Sequence, residues 1–179
     1  TYRLTTREGV VYEISQTDGT RFFEDANGNR VTFEANRIFS STGAEVAIAR
    51  DPQGRITQIT DPLGGTIQYG YDAQGRLATV TDQEGGVQTY VYDANHLLLE
   101  VIGPDGVRMM RTEYDAEGRK ERVIDAADNA IVYARDVDAR TEVVTDRRGA
   151  VTTYTYDGNG RVTSIDDPNG NTGTFTFDI

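Results

Sequence analysis

The chain has 179 residues, a formal net charge of −11 and no cysteine. This length suits one ordinary domain, the negative charge disfavours binding to nucleic acid, and the lack of cysteine excludes disulfides and thiolate metal sites. No apolar run approaches the roughly 18 residues that a membrane helix needs, so we expect no membrane insertion. Ten tyrosines, six phenylalanines and nineteen glycines favour strands joined by tight turns.

The first fifty residues carry turn signals without a regular spacing. Residues 23–30 read as a turn unit with an insertion, and residues 33–38 as the same unit with its glycine deleted. We therefore predict degenerate N-terminal β-hairpins over residues 1–50, continuous with the rest of the chain.

From position 51 onward an aspartate recurs about every 21 residues, at Asp51, Asp72, Asp93, Asp115, Asp136 and Asp157. One further step of 21 reaches Asp178. Four residues later stands an arginine in most units, namely Arg55, Arg76, Arg119, Arg140 and Arg161, with Leu97 as the exception. An aromatic residue usually comes just before the aspartate, as at Tyr71, Tyr92, Tyr114, Tyr156 and Phe177. Because an arginine and an aromatic residue recur at fixed distances from this aspartate, the pattern indicates a structural repeat.

Each unit also holds a second turn signal, ten residues after the first. Its aspartates are Asp61, Asp82, Asp125, Asp146 and Asp167, with Gly103 substituting once. An Asp side chain can accept hydrogen bonds from its own turn, and a glycine three residues later permits positive φ. Asp128 and His96 each replace such a glycine. Two turns with β-branched and aromatic runs between them predict one β-hairpin per unit.

The two strands of the unit differ in their apolar spacing. Tyr69 and Tyr71 alternate with a period of two, which places both rings on one face of a strand. Leu77 and Val80 are three residues apart, and either a bulge or a strong local twist reconciles this spacing with a strand.

Short two-turn units can bury their apolar faces only against neighbours. We therefore predict an all-β fold of tandem antiparallel hairpins, side by side in one curved, spiralling sheet. Residues 51–179 form six regular repeats plus the start of a seventh, continuous with residues 1–50.

Three segments carry a family resemblance: Tyr71-Asp-Ala-Gln-Gly-Arg76, Tyr114-Asp-Ala-Glu-Gly-Arg119 and Tyr156-Asp-Gly-Asn-Gly-Arg161. They resemble the YD-repeat signature of the RHS family. The structural repeat positions are Tyr71, Asp72, Gly75, Arg76, Tyr92, Asp93, Tyr114, Asp115, Gly118, Arg119, Tyr156, Asp157, Gly160 and Arg161.

The resemblance implies a β-sheet that spirals into a hollow shell, as in bacterial polymorphic toxins, insecticidal toxin complexes and the teneurin receptors. In the toxins the shell encloses a C-terminal effector. The resemblance therefore implies a secreted or cell-surface location, with the rest of the shell and its enclosed cargo domain as partners.

The candidate chemistry of the chain is weak. Carboxylates spread through the turns would form pairs at glycosidase-like separations by repetition alone, and no pair stands out. His96 is the only histidine, and a lone imidazole makes a poor metal site and an unsupported general base. We predict a structural protein and no enzyme, with no catalytic, cofactor-binding or metal residues. Calcium binding by the Asp-rich turns stays open, although no EF-hand loop is present.

An alternative function is recognition of a glycan or a partner protein at a cell surface. A row of tyrosine rings could bind sugars, because such rings combine apolar faces with polar tips. Packing between adjacent hairpins explains the same residues without a ligand.

Residues 172–178 contain no Lys, Arg or Pro, the residues that commonly protect an open strand edge. We expect self-association of the chain through this edge, or a terminus that folds back over the sheet.

The repeat predicts the effect of removing one turn aspartate. We expect Asp72→Ala to lower the free energy of unfolding by about 1 kcal/mol, because a turn cap is lost. Urea unfolding measures this change. An unchanged melting temperature together with loss of a ligand would contradict the structural role.

Overall fold

The computed structural model describes residues 1–178, and these form two compact units, Thr1–Val87 and a second that begins at Gln88. The described residues contain eighteen strands and no helix, so none of them forms a helix that could cross a membrane. The predicted all-β class is confirmed. Ile179, the last residue of the predicted region 51–179, lies outside the described residues.

The first unit is a series of strands that pair in chain order. Each strand runs antiparallel to the one before it. The strands are β1 (Tyr2–Thr5), β2 (Val11–Ser15), β3 (Gly19–Glu24), β4 (Arg30–Glu34), β5 (Arg37–Ser40), β6 (Glu45–Arg50), β7 (Ile56–Thr60), β8 (Thr66–Tyr71) and β9 (Leu77–Thr81).

The second unit repeats this arrangement, again with antiparallel pairing in chain order. Its strands are β10 (Val87–Tyr92), β11 (Leu98–Ile102), β12 (Arg108–Tyr114), β13 (Lys120–Asp125), β14 (Ala130–Asp136), β15 (Thr141–Thr145), β16 (Val151–Tyr156), β17 (Val162–Asp166) and β18 (Thr172–Thr174). β18 pairs with β17, and association of chains through β18 stays a prediction.

A bulge explains the spacing of apolar residues by three. In the β8–β9 pair Tyr71 lies opposite Leu77 and Tyr69 opposite Val80, while Ala78 is skipped. The extra residue therefore brings Leu77 and Val80 onto the face that carries the two tyrosines. The same register shift recurs in the pairs β6–β7, β10–β11, β12–β13 and β16–β17.

The core is thin. Among residues 1–178 the buried side chains are those of Phe22, Val101, Thr112 and Ile124, and most other strand residues are half-buried. Each strand therefore depends for burial on its neighbours within the sheet, as in other repeat proteins.

The turns within residues 1–50 differ in one respect from the sequence interpretation. The turn at Asp25 has no inserted residue, because Gly28 stands three residues after Asp25, as Gly170 does after Asp167. Residues 33–38 form a two-residue hairpin loop in which Glu34 lies opposite Arg37.

The turn glycines predict a stability difference. Gly64 has φ +89, and a Cβ there would meet nothing within 4 Å, so Gly64→Ala tests backbone strain alone. We expect a loss of about 1 kcal/mol. His96 has φ +67, and His96→Gly should raise stability by relieving the same strain.

Gly173→Ala is the matched control, because Gly173 has no positive φ and equally open surroundings. Urea unfolding of the three variants measures the effect. Equal losses for Gly64→Ala and Gly173→Ala would contradict a role for backbone strain.

Candidate functional site

The repeated turn closes its hairpins with a three-residue loop. At the first regular unit the Asp51 nitrogen donates to the Arg55 carbonyl at 3.0 Å, and the Gly54 nitrogen donates to the Asp51 carbonyl at 2.9 Å. Gly54 has φ +82. These two bonds and the left-handed glycine define a type I turn followed by a bulge, a common hairpin connection.

The aspartate carboxylate completes this turn. Asp51 Oδ1 accepts hydrogen bonds from the backbone nitrogens of Gln53 at 3.0 Å and Arg55 at 2.9 Å. The same pair of bonds is made by Asp25, Asp61, Asp72, Asp82, Asp93, Asp115, Asp125, Asp146, Asp157 and Asp167. One oxygen thus satisfies two backbone donors in the turn.

The phased arginine uses the second oxygen of the same carboxylate. The Nε–Oδ2 distances are 2.7 Å for Arg55–Asp51, 2.6 Å for Arg76–Asp72, 2.7 Å for Arg119–Asp115 and 2.7 Å for Arg161–Asp157. These arginine side chains stay 20 to 40% exposed, so each ion pair adds modest stability.

Arginine also links one repeat to the next. The guanidinium of Arg55 lies 4.3 Å from the ring centroid of Tyr71, and that of Arg161 lies 4.8 Å from Phe177. The Tyr71 hydroxyl donates to the Ile56 carbonyl at 2.7 Å. Aspartate, arginine and the following aromatic residue therefore form one chain of contacts, with a cation–π contribution.

The predicted repeat positions occupy equivalent places. Tyr71, Tyr92, Tyr114 and Tyr156 each end a strand directly before a turn aspartate, and the Tyr114 hydroxyl donates to the Leu98 carbonyl at 2.9 Å. The glycines Gly75, Gly118 and Gly160 all have positive φ.

Hydrogen bonds lower the pKa of several turn aspartates. The backbone N–H groups of Gly65 and Leu63 hold the pKa of Asp61 below its ordinary value. Burial raises the pKa of Asp72, but the hydrogen bonds from Arg76 outweigh this and lower it. The pKa of Asp157 is lowered chiefly by the backbone N–H of Arg161.

Two units with substituted residues keep their turns, and in one of them Asp93 still makes the usual pair of hydrogen bonds. Leu97 stands in the arginine position, and its side chain lies beside Gly118. A Cβ added to Gly118 would be 3.5 Å from Leu97 Cδ1. Gly103 stands in the aspartate position, and Asp105 Oδ1 accepts from the Val107 nitrogen at 2.9 Å. Asp105 therefore supplies the carboxylate that Gly103 lacks.

The unit of Asp136 and Arg140 differs from its sequence interpretation. Asp136 lies in β14 opposite Thr141, and the turn closes through the Arg140 nitrogen and the Val137 carbonyl at 3.3 Å. Arg135 replaces the usual tyrosine and binds Glu142, which also accepts from the Tyr156 hydroxyl at 3.1 Å. Asp136 keeps the 21-residue spacing in the sequence, but the hydrogen bonds of its turn differ from those of the other units.

Sequence reasoning missed the hydroxyl residues that begin two turns in the first fifty residues. Thr6 and Ser40 take the aspartate position, and each hydroxyl accepts from the backbone nitrogen four residues later, at 3.3 Å in both. Gly9 and Gly43 follow three residues after them with positive φ. A hydroxyl residue three positions before glycine is the signal that could have found them.

The arrangement offers little to a metal. Within residues 1–178 no group of three or more His, Asp or Glu side chains is placed to hold an ion. An open cleft of about 570 Å³ lies between two turns and includes Asp115 and Glu117, both of which bind Arg119. Turn geometry accounts for these carboxylates.

The RHS Repeat family model matches residues 50–87, 74–108 and 138–172. These segments cover more than half of the chain. The chain belongs to the RHS repeat family. The matched segments include the regular turns at Asp51, Asp72, Asp93 and Asp157, and residues 109–137, which hold the turn at Asp115, fall between the matched segments. A comparison with curated protein sequences gave no significant match.

Solved structures share the RHS fold. The structure of TcdB2-TccC3-TEV matches 98% of this chain at 17% sequence identity, with a TM-score of 0.54. The structure of TcdB2-TccC3 without its hypervariable C-terminal region also matches 98% of this chain at 17% identity, with a TM-score of 0.56. A Tc holotoxin pore of Photorhabdus luminescens matches 92% of this chain at 16% sequence identity, with a TM-score of 0.50. The chain spans 12%, 12% and 10% of those chains respectively.

The lowered pKa values predict how stability depends on pH. Several turn aspartates, among them Asp61 and Asp157, have a folded-state pKa below the ordinary 3.8, so their contribution is present above that value and is lost as the pH falls through the folded pKa. We expect the free energy of unfolding to fall progressively below about pH 4.

Urea unfolding across this range measures the effect. Asp61→Asn is the matched variant, because an amide keeps an acceptor oxygen and removes the titrating charge. Its stability should change less with pH than that of the parent chain. A parent chain whose stability is constant down to about pH 2 would contradict the role of these carboxylates.

Proposed function

We propose that this chain is a segment of an RHS-type shell wall, which encloses or presents a toxin or effector domain of a larger protein. The proposal rests chiefly on the structural match over 98% of the chain to TcdB2-TccC3 proteins, together with the RHS family match. The location that fits this role is extracellular.

The small buried core is consistent with a role as a shell wall. The strands of each unit are half-buried and depend on their sequence neighbours, so a sheet of this kind grows by adding hairpins. We propose that residues 1–50 extend the same wall as residues 51–179, because Thr6, Asp25 and Ser40 build the same turn as the regular repeats.

The two faces of the sheet differ, as the two sides of a wall would. In the second unit Tyr133 lies opposite Val144, and Tyr154 lies opposite Ile165. The residues next to Tyr154 in β16, Thr153 and Thr155, point to the other face because strand side chains alternate. At these positions the tyrosine rings lie on one face, opposite Val144 and Ile165, and the other face carries the hydroxyl groups of Thr153 and Thr155.

The names of the matched structures support a variable cargo. One is TcdB2-TccC3 without a hypervariable C-terminal region, and another is TcdB2-TccC3-Cdc42. We propose that the protein containing this segment likewise combines a constant wall with a variable domain.

The contacts of the repeat tyrosines support packing instead of sugar binding. The ring of Tyr71 is covered by Arg55, and its hydroxyl is bonded to the Ile56 carbonyl. The Tyr114 hydroxyl is bonded to the Leu98 carbonyl in the same way. A sugar would have to displace these contacts.

Cysteine labelling tests the wall, because the chain has no cysteine of its own. Thr152→Cys and Thr153→Cys place matched thiols on opposite faces of β16, at two half-buried positions. Both should react with a bulky maleimide in the isolated chain. In the full-length protein one of the two should be blocked, because one face of a closed shell is shielded from solvent.

The control is the same full-length protein after denaturation, in which both thiols should react. Equal labelling of the two variants in the folded full-length protein, whether fast or slow, would overturn the proposal.

A further inference from the structure

Three asparagines lie in the same place within the repeated turn and are followed directly by glycine. They are Asn27, Asn159 and Asn169, and each is the second residue after a turn aspartate. All three are exposed. Asn-Gly is a reactive pair, since the glycine nitrogen is not shielded by a side chain and can attack the asparagine side chain.

The chemistry is intramolecular deamidation. The glycine nitrogen loses its proton and bonds to Cγ of the asparagine, while the Cγ–Nδ2 bond breaks and ammonia leaves with that proton. Water then opens the five-membered imide at either carbonyl. The product is aspartate or isoaspartate, and no oxidant or reductant takes part.

The turn engages the attacking nitrogen in each case. The Gly160 nitrogen donates to the Asp157 carbonyl at 3.1 Å, the Gly170 nitrogen to Asp167 at 3.0 Å and the Gly28 nitrogen to Asp25 at 3.1 Å. Attack requires this proton to leave and the nitrogen to turn toward the asparagine. The hydrogen bond therefore has to break before the reaction begins.

The aspartate side chain adds a second restraint. Asp157 Oδ1 accepts from the Asn159 nitrogen at 2.8 Å and from the Arg161 nitrogen at 3.0 Å, which fixes the backbone on both sides of Gly160. The carboxylate charge also opposes negative charge on the nearby glycine nitrogen. The pKa of Asp157 is lowered by its hydrogen bonds, so this charge is present at neutral pH.

We propose that Asn27, Asn159 and Asn169 are latent deamidation sites, each held unreactive by the aspartate that begins its own turn. Deamidation at one of them reports the opening of that single turn. An isoaspartate product lengthens the backbone by one carbon and prevents the turn from closing again. The repeat thereby protects its most labile sequence with the contacts that shape the hairpin.

The test compares the three sites within one molecule. The parent chain and Asp157→Ala are incubated at mildly alkaline pH, and deamidation at each asparagine is followed by peptide mass spectrometry. We expect Asn159 to react at least about fivefold faster in Asp157→Ala, the change in rate that corresponds to one hydrogen bond. Asn27 and Asn169 keep intact turns and should not accelerate.

Asp167→Ala is the reciprocal variant, in which Asn169 alone should accelerate. It keeps the test decisive if Asp157→Ala does not fold. An equal increase at all three sites would show general unfolding and overturn local protection. Reaction of Asn159 in the folded parent chain as fast as in urea would overturn the proposal directly.

Discussion

The structure depends on one hydrogen-bond acceptor, the Oδ1 atom of the turn aspartate. In Asp51 and its equivalents this atom binds two backbone N–H groups that the strand ladder leaves unpaired. Eleven turns use it, and Thr6 and Ser40 reproduce one of the two bonds with a hydroxyl. Because each strand is buried only by its neighbours, the order of the sheet rests on closing every turn in the same register.

The bulge that follows the turns at Asp51, Asp72, Asp93, Asp115 and Asp157 is the second constraint. It shifts the register so that Leu77 and Val80, three residues apart, face Tyr71 and Tyr69, two residues apart. Without the extra residue one of the two apolar side chains would point to the opposite face. Turn and bulge together let a thin sheet keep one continuous apolar face within each unit.

The stretch from His96 to Arg140 departs from the repeat at several positions, although its turns at Asp115 and Asp125 keep the usual hydrogen bonds. Its non-glycine residues with positive φ are His96, Asp128 and Arg140, and part of it falls between the segments matched by the family model. The same stretch contains Ile124, which is 2% exposed. Glu113 there binds both Arg111 at 2.9 Å and Arg122 at 3.1 Å.

The sequence alone determined the period, the hairpin and the turn chemistry, because Asp, Gly and the alternation of aromatic residues act over fewer than six positions. Tertiary structure decided what depends on cross-strand register. It selected a bulge over a twist at Ala78 and placed Arg55 against Tyr71 of the next hairpin. It also moved the turn after Asp136, where Arg135 binds Glu142 across two strands. These contacts join residues whose relation is set by strand pairing, which local spacing does not encode.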